Sequence, residues 1–200
     1  MILTSVALLA AFSADCRIQS VEARTASVFA GACHYGGEAT TAGREALVAW
    51  HFESGSLAGV DLVAAIAGDG NLADPSTVRR SVVYLSDRAT PAQRGAAEAL
   101  LRWRLGSELG RVLEVVVVPL EAKFEGESYR VDGGALFELE GSLLADRACC
   151  KMPLAVWYQP IAPIAAPIVG RNEVFRYGDA RLGSVWEHHG ENTGFAGTLR

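Results

Sequence analysis

Along most of this chain apolar positions recur at every second residue, or in short unbroken runs closed by glycine, and both patterns are signatures of strands. Residues 21–29 and 45–52 are rich in β-branched and aromatic side chains and flank a glycine-rich stretch, residues 31–43, which predicts two strands around a loop. Residues 60–67 form an apolar run too short for its period to separate strand from helix, and Gly68-Asp69-Gly70-Asn71 turns the chain after it. A strand is expected to resume over residues 80–85.

The period then changes. Thr90-Pro91-Ala92-Gln93 offers a threonine N-cap, a proline at the first helical position and a glutamine placed to complete a capping box. Ala96, Ala97, Leu100, Leu101, Leu105 and Leu109 follow at three- and four-residue steps, predicting one helix from Pro91 to about Leu109, stopped by Gly110. The β-branched run over residues 112–120 is expected to be a central strand covered on both sides. From Leu120 to Glu140 apolar and polar residues alternate between turns at Gly126-Glu127 and Gly133-Gly134, the pattern of a meander. Pro160, Pro163 and Pro167, with apolar residues between them, read as an extended crossing or edge. With no strand–helix–strand alternation in view, the expected fold class is α+β: a mainly antiparallel meander with one long helix, residues 91–109, packed on it, in a single domain over residues 15–200.

Residues 2–12 are an apolar run followed by Ser13-Ala14-Asp15, with Ala11-Phe12-Ser13 supplying small residues where a signal peptidase needs them, the composition of a signal peptide over residues 1–14. Asp15 and Arg17 close the run well short of the roughly 20 residues a membrane span needs, so the mature chain is expected to lack a span and to be periplasmic or extracellular. The competing reading, an N-terminal strand or buried helix of a cytosolic protein, draws on the absence of Lys or Arg before the run. Asp15 in front of Cys16 argues against a lipid anchor. Half of the 200 residues are hydrophobic, which suits a packed domain, and 18 basic against 23 acidic residues leave a net charge of −5, which does not favour nucleic acid or an anionic membrane as partner. No serine-hydrolase elbow, phosphate-binding loop or zinc-protease helix motif is present, so no catalytic residue is assigned.

What remains is sulfur. Cys149-Cys150-Lys151-Met152 places two thiols and a thioether within four residues, and Cys33-His34 adds a thiol and an imidazole in the glycine-rich loop. Soft, polarisable ligands of this kind suit Cu(I), whereas zinc accepts Cys and His but has no use for methionine. The plainer reading is that methionine and cysteine fill the core, or that Cys33 is bridged to Cys149 or Cys150 with Cys16 near the terminus. A bridge between neighbouring Cys149 and Cys150 would be strained and fits a redox or ligand device better than a staple, although the spacing is not that of C-x-x-C exchange enzymes. His188-His189 beside Glu187 reads as a second imidazole source or as an exposed turn, and His51, flanked by Trp50 and Phe52, as structural.

Residues 82–94, running Val-Val-Tyr-Leu-Ser-Asp-Arg-Ala-Thr-Pro-Ala-Gln-Arg, together with residues 55–71, resemble the bacterial domain-of-unknown-function 1326 family, with the likeness extending over about residues 27–131. Cys149-Cys150-Lys151-Met152-Pro153, Trp157-Tyr158-Gln159-Pro160 and Glu191-Asn192-Thr193-Gly194-Phe195 resemble an exported branch of the same group. The resemblance implies no established activity and a loose association with metal handling. Typical members carry a CxC-and-CPC cluster near their start, of which this chain keeps Cys33, with His34 beside it. The expectation is an exported protein that binds a soft metal, copper as Cu(I), through Cys149, Cys150, Met152, Cys33 and His34. The alternative is a non-catalytic exported domain, stapled by a disulfide, that binds a protein partner or apolar ligand.

Overall fold

A computed structural model describes residues 17–30, 43–144 and 155–199. In chain order the strands are β1 (Ile18–Arg24), β2 (Phe29–Ala30), β3 (Glu45–Phe52), β4 (Asp61–Gly68), β5 (Arg79–Ser86), β6 (Arg111–Val118), β7 (Glu121–Glu125), β8 (Ser128–Asp132), β9 (Phe137–Leu143), β10 (Ala155–Val156), β11 (Ile164–Tyr177), β12 (Trp186–His188) and β13 (Glu191–Leu199). Two short helices, α1 (Pro91–Trp103) and α2 (Gly106–Leu109), lie between β5 and β6.

The α+β expectation is overturned. Of the described residues 53% are strand and 12% helical, and the strands form one large curled mixed sheet. Its order is β6-β5-β4-β3-β1-β13-β11-β9-β8-β7, with β12 attached to β11, and β2 and β10 pair separately. The two end strands, β6 and β7, are consecutive in the chain and joined only by Pro119 and Leu120. A sheet whose last strand must begin two residues after its first edge ends has to curl on itself, and β7 does come back against β3. The inner face holds one core from both halves of the curl: Val21, Leu47, Val63, Val82 and Tyr84 face Tyr129, Phe137, Leu139, Phe175 and Tyr177.

The alternate side chains of β3, β4 and β5, among them Trp50, Phe52, Leu62, Ile66 and Leu85, form a second core on the outer face with Ala97, Leu100, Leu101 and Leu105. Strands β3 and β4 are therefore buried on both sides, which is why residues 60–67 read as unbroken apolar sequence and fold as a strand.

Three local expectations need correction. The helix stops at Trp103: Arg104 and Leu105 both donate their N–H to Leu100 O, at 2.9 and 3.3 Å, and the chain restarts as α2 at Gly106. Glycine is a poor helix interior residue, and the break turns Leu105 and Leu109 into the core while Trp103 stays 75% exposed. Residues 111–118 form the sheet edge, not its centre, with Leu113, Val115 and Val117 about 40% exposed. And strand–helix–strand alternation does occur among the described residues, because β5, the helices and β6 form a crossover that lays β6 parallel to β5.

Elsewhere local chemistry governs. The Thr90 capping box forms, with Gln93 N–H donating to Thr90 Oγ1 at 3.3 Å and Thr90 N–H donating to Gln93 Oε1 at 3.0 Å. Strands β7, β8 and β9 make the expected meander, Gly126 supplying the left-handed residue of its first turn at φ +60°. Pro167 has no N–H to give a ladder, and the β11–β13 register shifts there, with Ala166 in the left-handed region at φ 44°. Among the described residues no helix is long and apolar enough to cross a membrane.

Candidate functional site

Cys16, Cys33, His34, Cys149, Cys150 and Met152, and with them the leader over residues 1–14, lie outside the described residues. The described residues next to them do bear on the sulfur segments. Ala30, the last residue of β2, is the register partner of Ala155, the first of β10. Cys33 follows Ala30 by three positions and Met152 precedes Ala155 by three. The stretch that carries Cys33-His34 thus leaves from, and the stretch that carries Cys149-Cys150-Lys151-Met152 returns to, one pair of hydrogen-bonded strands.

A small apolar core of Val28, Phe29, Val169 and Phe195 lies under this pair, and Trp157 N–H donates to Val28 O at 2.9 Å to continue the contact. Next to it sits a buried ion pair that the sequence does not advertise. Glu22 and Arg24, two apart on β1 and so on one face, are 0% and 2% exposed, with Arg24 Nε 2.6 Å from Glu22 Oε1. Glu22 Oε2 accepts the Ile161 N–H at 2.6 Å and the Ala162 N–H at 3.3 Å, while Arg24 donates through Nη2 to Gln159 O and lies 5.6 Å from the centre of the Tyr158 ring. A charge pair taken out of water gains from further hydrogen bonds, and here Glu22 Oε2 and Arg24 Nη2 hold residues 158–162 against the outer face of β1, while Arg24 Nη1 is buried with no hydrogen-bond partner.

The second polar constellation lies at one end of the inner face. Gln19, His51 and Asp61 are direct cross-strand neighbours on β1, β3 and β4. Asp61 is fully buried; its Oδ1 lies 2.6 Å from His51 Nδ1, and its Oδ2 accepts from Ala122 N–H of β7 at 3.2 Å and from Arg88 Nη2. Arg88 also donates to Leu120 O at 3.3 Å and Ser86 Oγ at 3.2 Å. Asp61 therefore ties β4 to the returning strand β7 and clasps the curl shut. Asp61 Oδ1 accepts from His51 when the imidazole carries its proton on Nδ1, the tautomer that leaves Nε2 as an acceptor. His51 is 31% exposed and lines a pocket of about 300 Å³ with Glu53, Arg88, Glu121, Lys123 and Glu125.

His188 stacks on Phe175, ring centres 5.8 Å apart, with Nδ1 3.1 Å from Glu191 Oε1. His189 Nε2 lies 2.8 Å from Glu187 Oε1, and that hydrogen bond raises its pKa above the ordinary 6.5. Each is engaged by a nearby carboxylate. Among the described residues no three His, Cys, Asp or Glu side chains are placed to hold a metal ion.

Sequence reading missed the clasp. Asp61 stands at the start of an apolar run and gains meaning only through the β3–β4 register that puts it opposite His51. No family model, no curated protein and no solved structure matches this chain. The likeness to the domain-of-unknown-function 1326 family accordingly rests on the residues quoted for it.

Proposed function

We propose that the chain is an exported protein of that family's metal-handling kind, binding a soft metal of the Cu(I) class through the sulfur of Cys149, Cys150 and Met152, with Cys33 and His34 joining from the earlier loop. The supporting observation is the Ala30–Ala155 register pair. Three residues of extended chain span at most about 10–11 Å, so Cys33 and Met152 are each tethered that close to a shared anchor. Two thiolates and a thioether from one side, and a thiolate with an imidazole from the other, make a soft donor set.

The experiment is a Cu(I) titration of the reduced full chain against a competing chelator, repeated on Cys33→Ser, Cys149→Ser and Met152→Leu. Weaker binding in all three supports the five-residue site. Weakening confined to Cys149→Ser and Met152→Leu reduces it to the later segment, and unchanged affinity throughout removes it. The same anchor also favours the alternative, a Cys33 disulfide to Cys149 or Cys150 in a non-catalytic exported domain. Thiol counting on unreduced, denatured protein separates the two: four free thiols exclude the staple, and two fewer, with no copper affinity after reduction, establish it in place of the metal site.

A further inference from the structure

The geometry points to a second, independent site: His51 is a proton-accepting group for hydrolysis of a small neutral or cationic carboxylic ester, with Asp61 as its positioning residue. Nothing in this inference depends on the sulfur ligands.

Asp61, fully buried, uses one oxygen on His51 Nδ1 at 2.6 Å and the other on Arg88 and the Ala122 N–H. The carboxylate cannot rotate away without breaking the contacts that close the sheet, so it holds the ring in one orientation and one tautomer. The nitrogen left over, Nε2, belongs to a side chain that is partly exposed and lines a pocket of about 300 Å³, room for a small substrate. A purely structural histidine needs the contact with Asp61; it needs neither the free nitrogen nor the pocket. The site also stands on strands β3 and β4, buried on both faces, which hold a base more rigidly than a loop would.

The surrounding charge selects the chemistry. Arg88 and Lys123 border the pocket. Both already have acidic partners, Asp61 for Arg88 and Glu121 at 2.9 Å for Lys123, and Glu53 and Glu125 add further negative charge to the rim. A substrate that arrives as an anion meets this rim unfavourably, whereas a neutral or cationic ester does not. In the step itself, His51 Nε2 takes a proton from water as the water oxygen bonds to the ester carbonyl carbon. The bond from that carbon to the alcohol oxygen then breaks, and the departing oxygen takes the proton back from Nε2. One ester and one water give one carboxylic acid and one alcohol, with the imidazole returned to its starting form.

The test uses the full chain with p-nitrophenyl acetate as the neutral probe and mono-p-nitrophenyl succinate as the anionic one. The expected result is protein-dependent hydrolysis of the neutral ester, slower in D₂O, weaker on the anionic ester, and reduced about a hundredfold in His51→Gln while His188→Gln and His189→Gln keep it. Nitrogen NMR of the wild type is expected to show His51 protonated on Nδ1 in its neutral form, and the rate is expected to fall as that imidazole is protonated on Nε2, a pH profile that a merely structural histidine would not impose. Should His51→Gln fail to fold, carbethoxylation of His51 in the wild type and its reversal by hydroxylamine take its place, with activity lost and regained in step. Absence of hydrolysis, a rate indifferent to His51, or a faster reaction with the anionic ester overturns the proposal.

Discussion

The hydroxyl of Tyr129, on β8, donates to Asn172 Oδ1, on β11, over 2.5 Å, and Asn172 Nδ2 passes the link on to Thr193 Oγ1 of β13 at 2.6 Å. The ring reaches across two strands because glycines lie in its path: a Cβ on Gly141, Gly170 or Gly194 would come within 2.6, 2.8 or 2.7 Å of the Tyr129 oxygen. Here the absence of side chains is what lets the phenol reach Asn172, which carries the link on to β13. Tyr129→Phe leaves the buried Asn172 oxygen without its donor and is expected to cost about 1–3 kcal/mol in urea unfolding. Gly194→Ala, which also brings a methyl to 3.1 Å from Gly170 O, is expected to cost at least as much. A Gly194→Ala variant as stable as the wild type would mean that Tyr129 has room to move.

The Glu22–Arg24 pair gives the next prediction. Glu22→Gln strands a buried guanidinium and weakens the acceptor for the Ile161 and Ala162 N–H groups, for an expected loss of about 3–5 kcal/mol at neutral pH. Replacing both residues by leucine recovers only part of that loss, since the two backbone donors still lack a partner. Limited proteolysis is expected to open first at residues 158–162 in either variant; cleavage elsewhere would show that the pair does not hold that segment.

The helix junction predicts changes of opposite sign. Thr90→Ala removes the side-chain half of the capping box and is expected to cost about 1 kcal/mol. Gly106→Ala is expected to stabilise by roughly 0.5–1 kcal/mol, because the added methyl meets nothing closer than Leu101 O at 3.7 Å and an alanine favours the helical conformation that Gly106 already has. Paired thermal melts check both, and a destabilised Gly106→Ala would show that the break after Trp103 needs glycine.

The inner core carries a pH prediction. Tyr84 and Tyr177 share a hydrogen bond of 2.8 Å, and Tyr84 donates to Asp179 Oδ2 at 2.8 Å. Burial, the leading cause, pushes Tyr177 up to about 12 and raises Tyr84 and Tyr129 further. A phenol that holds its proton more tightly when folded contributes stability that is fully present below the ordinary value of 10.0 and lost as pH climbs from there through the folded value, about 12 for Tyr177. One unit above the ordinary value the loss is on the order of 1 kcal/mol for each such tyrosine. Urea unfolding at mildly alkaline and strongly alkaline pH reads it, and Tyr177→Phe is expected to shrink the difference. Equal stability at both would contradict the burial argument.

How much of this was legible beforehand follows from the range of each interaction. The capping box at Thr90, the turn at Gly126 and the strand at residues 45–52 rest on residues at most a few positions apart, and the sequence displays them directly. The soft-ligand segments were equally visible as composition, because a run such as Cys149-Cys150-Lys151-Met152 needs no fold to be recognised. The long helix was misread because Leu105 and Leu109 continue the apolar stripe across Gly106. The edge strand was misread because a run of valines records a preference for extended backbone and says nothing about which strand lies on either side.

By itself, then, the sequence determined which segments are extended, where the helix begins, where the chain turns and which residue types were on hand for chemistry. Only the tertiary structure decided that β6 and β7 end the sheet, that the sheet curls so that Asp61 can reach Ala122, that His51 stands opposite Asp61, and that Ala30 is paired with Ala155. The physical reason is that hydrophobic period reports which face of a segment avoids water, whereas strand pairing is made by backbone groups that are the same in nearly every residue. Which strands meet is settled by how the whole set of faces can be buried at once.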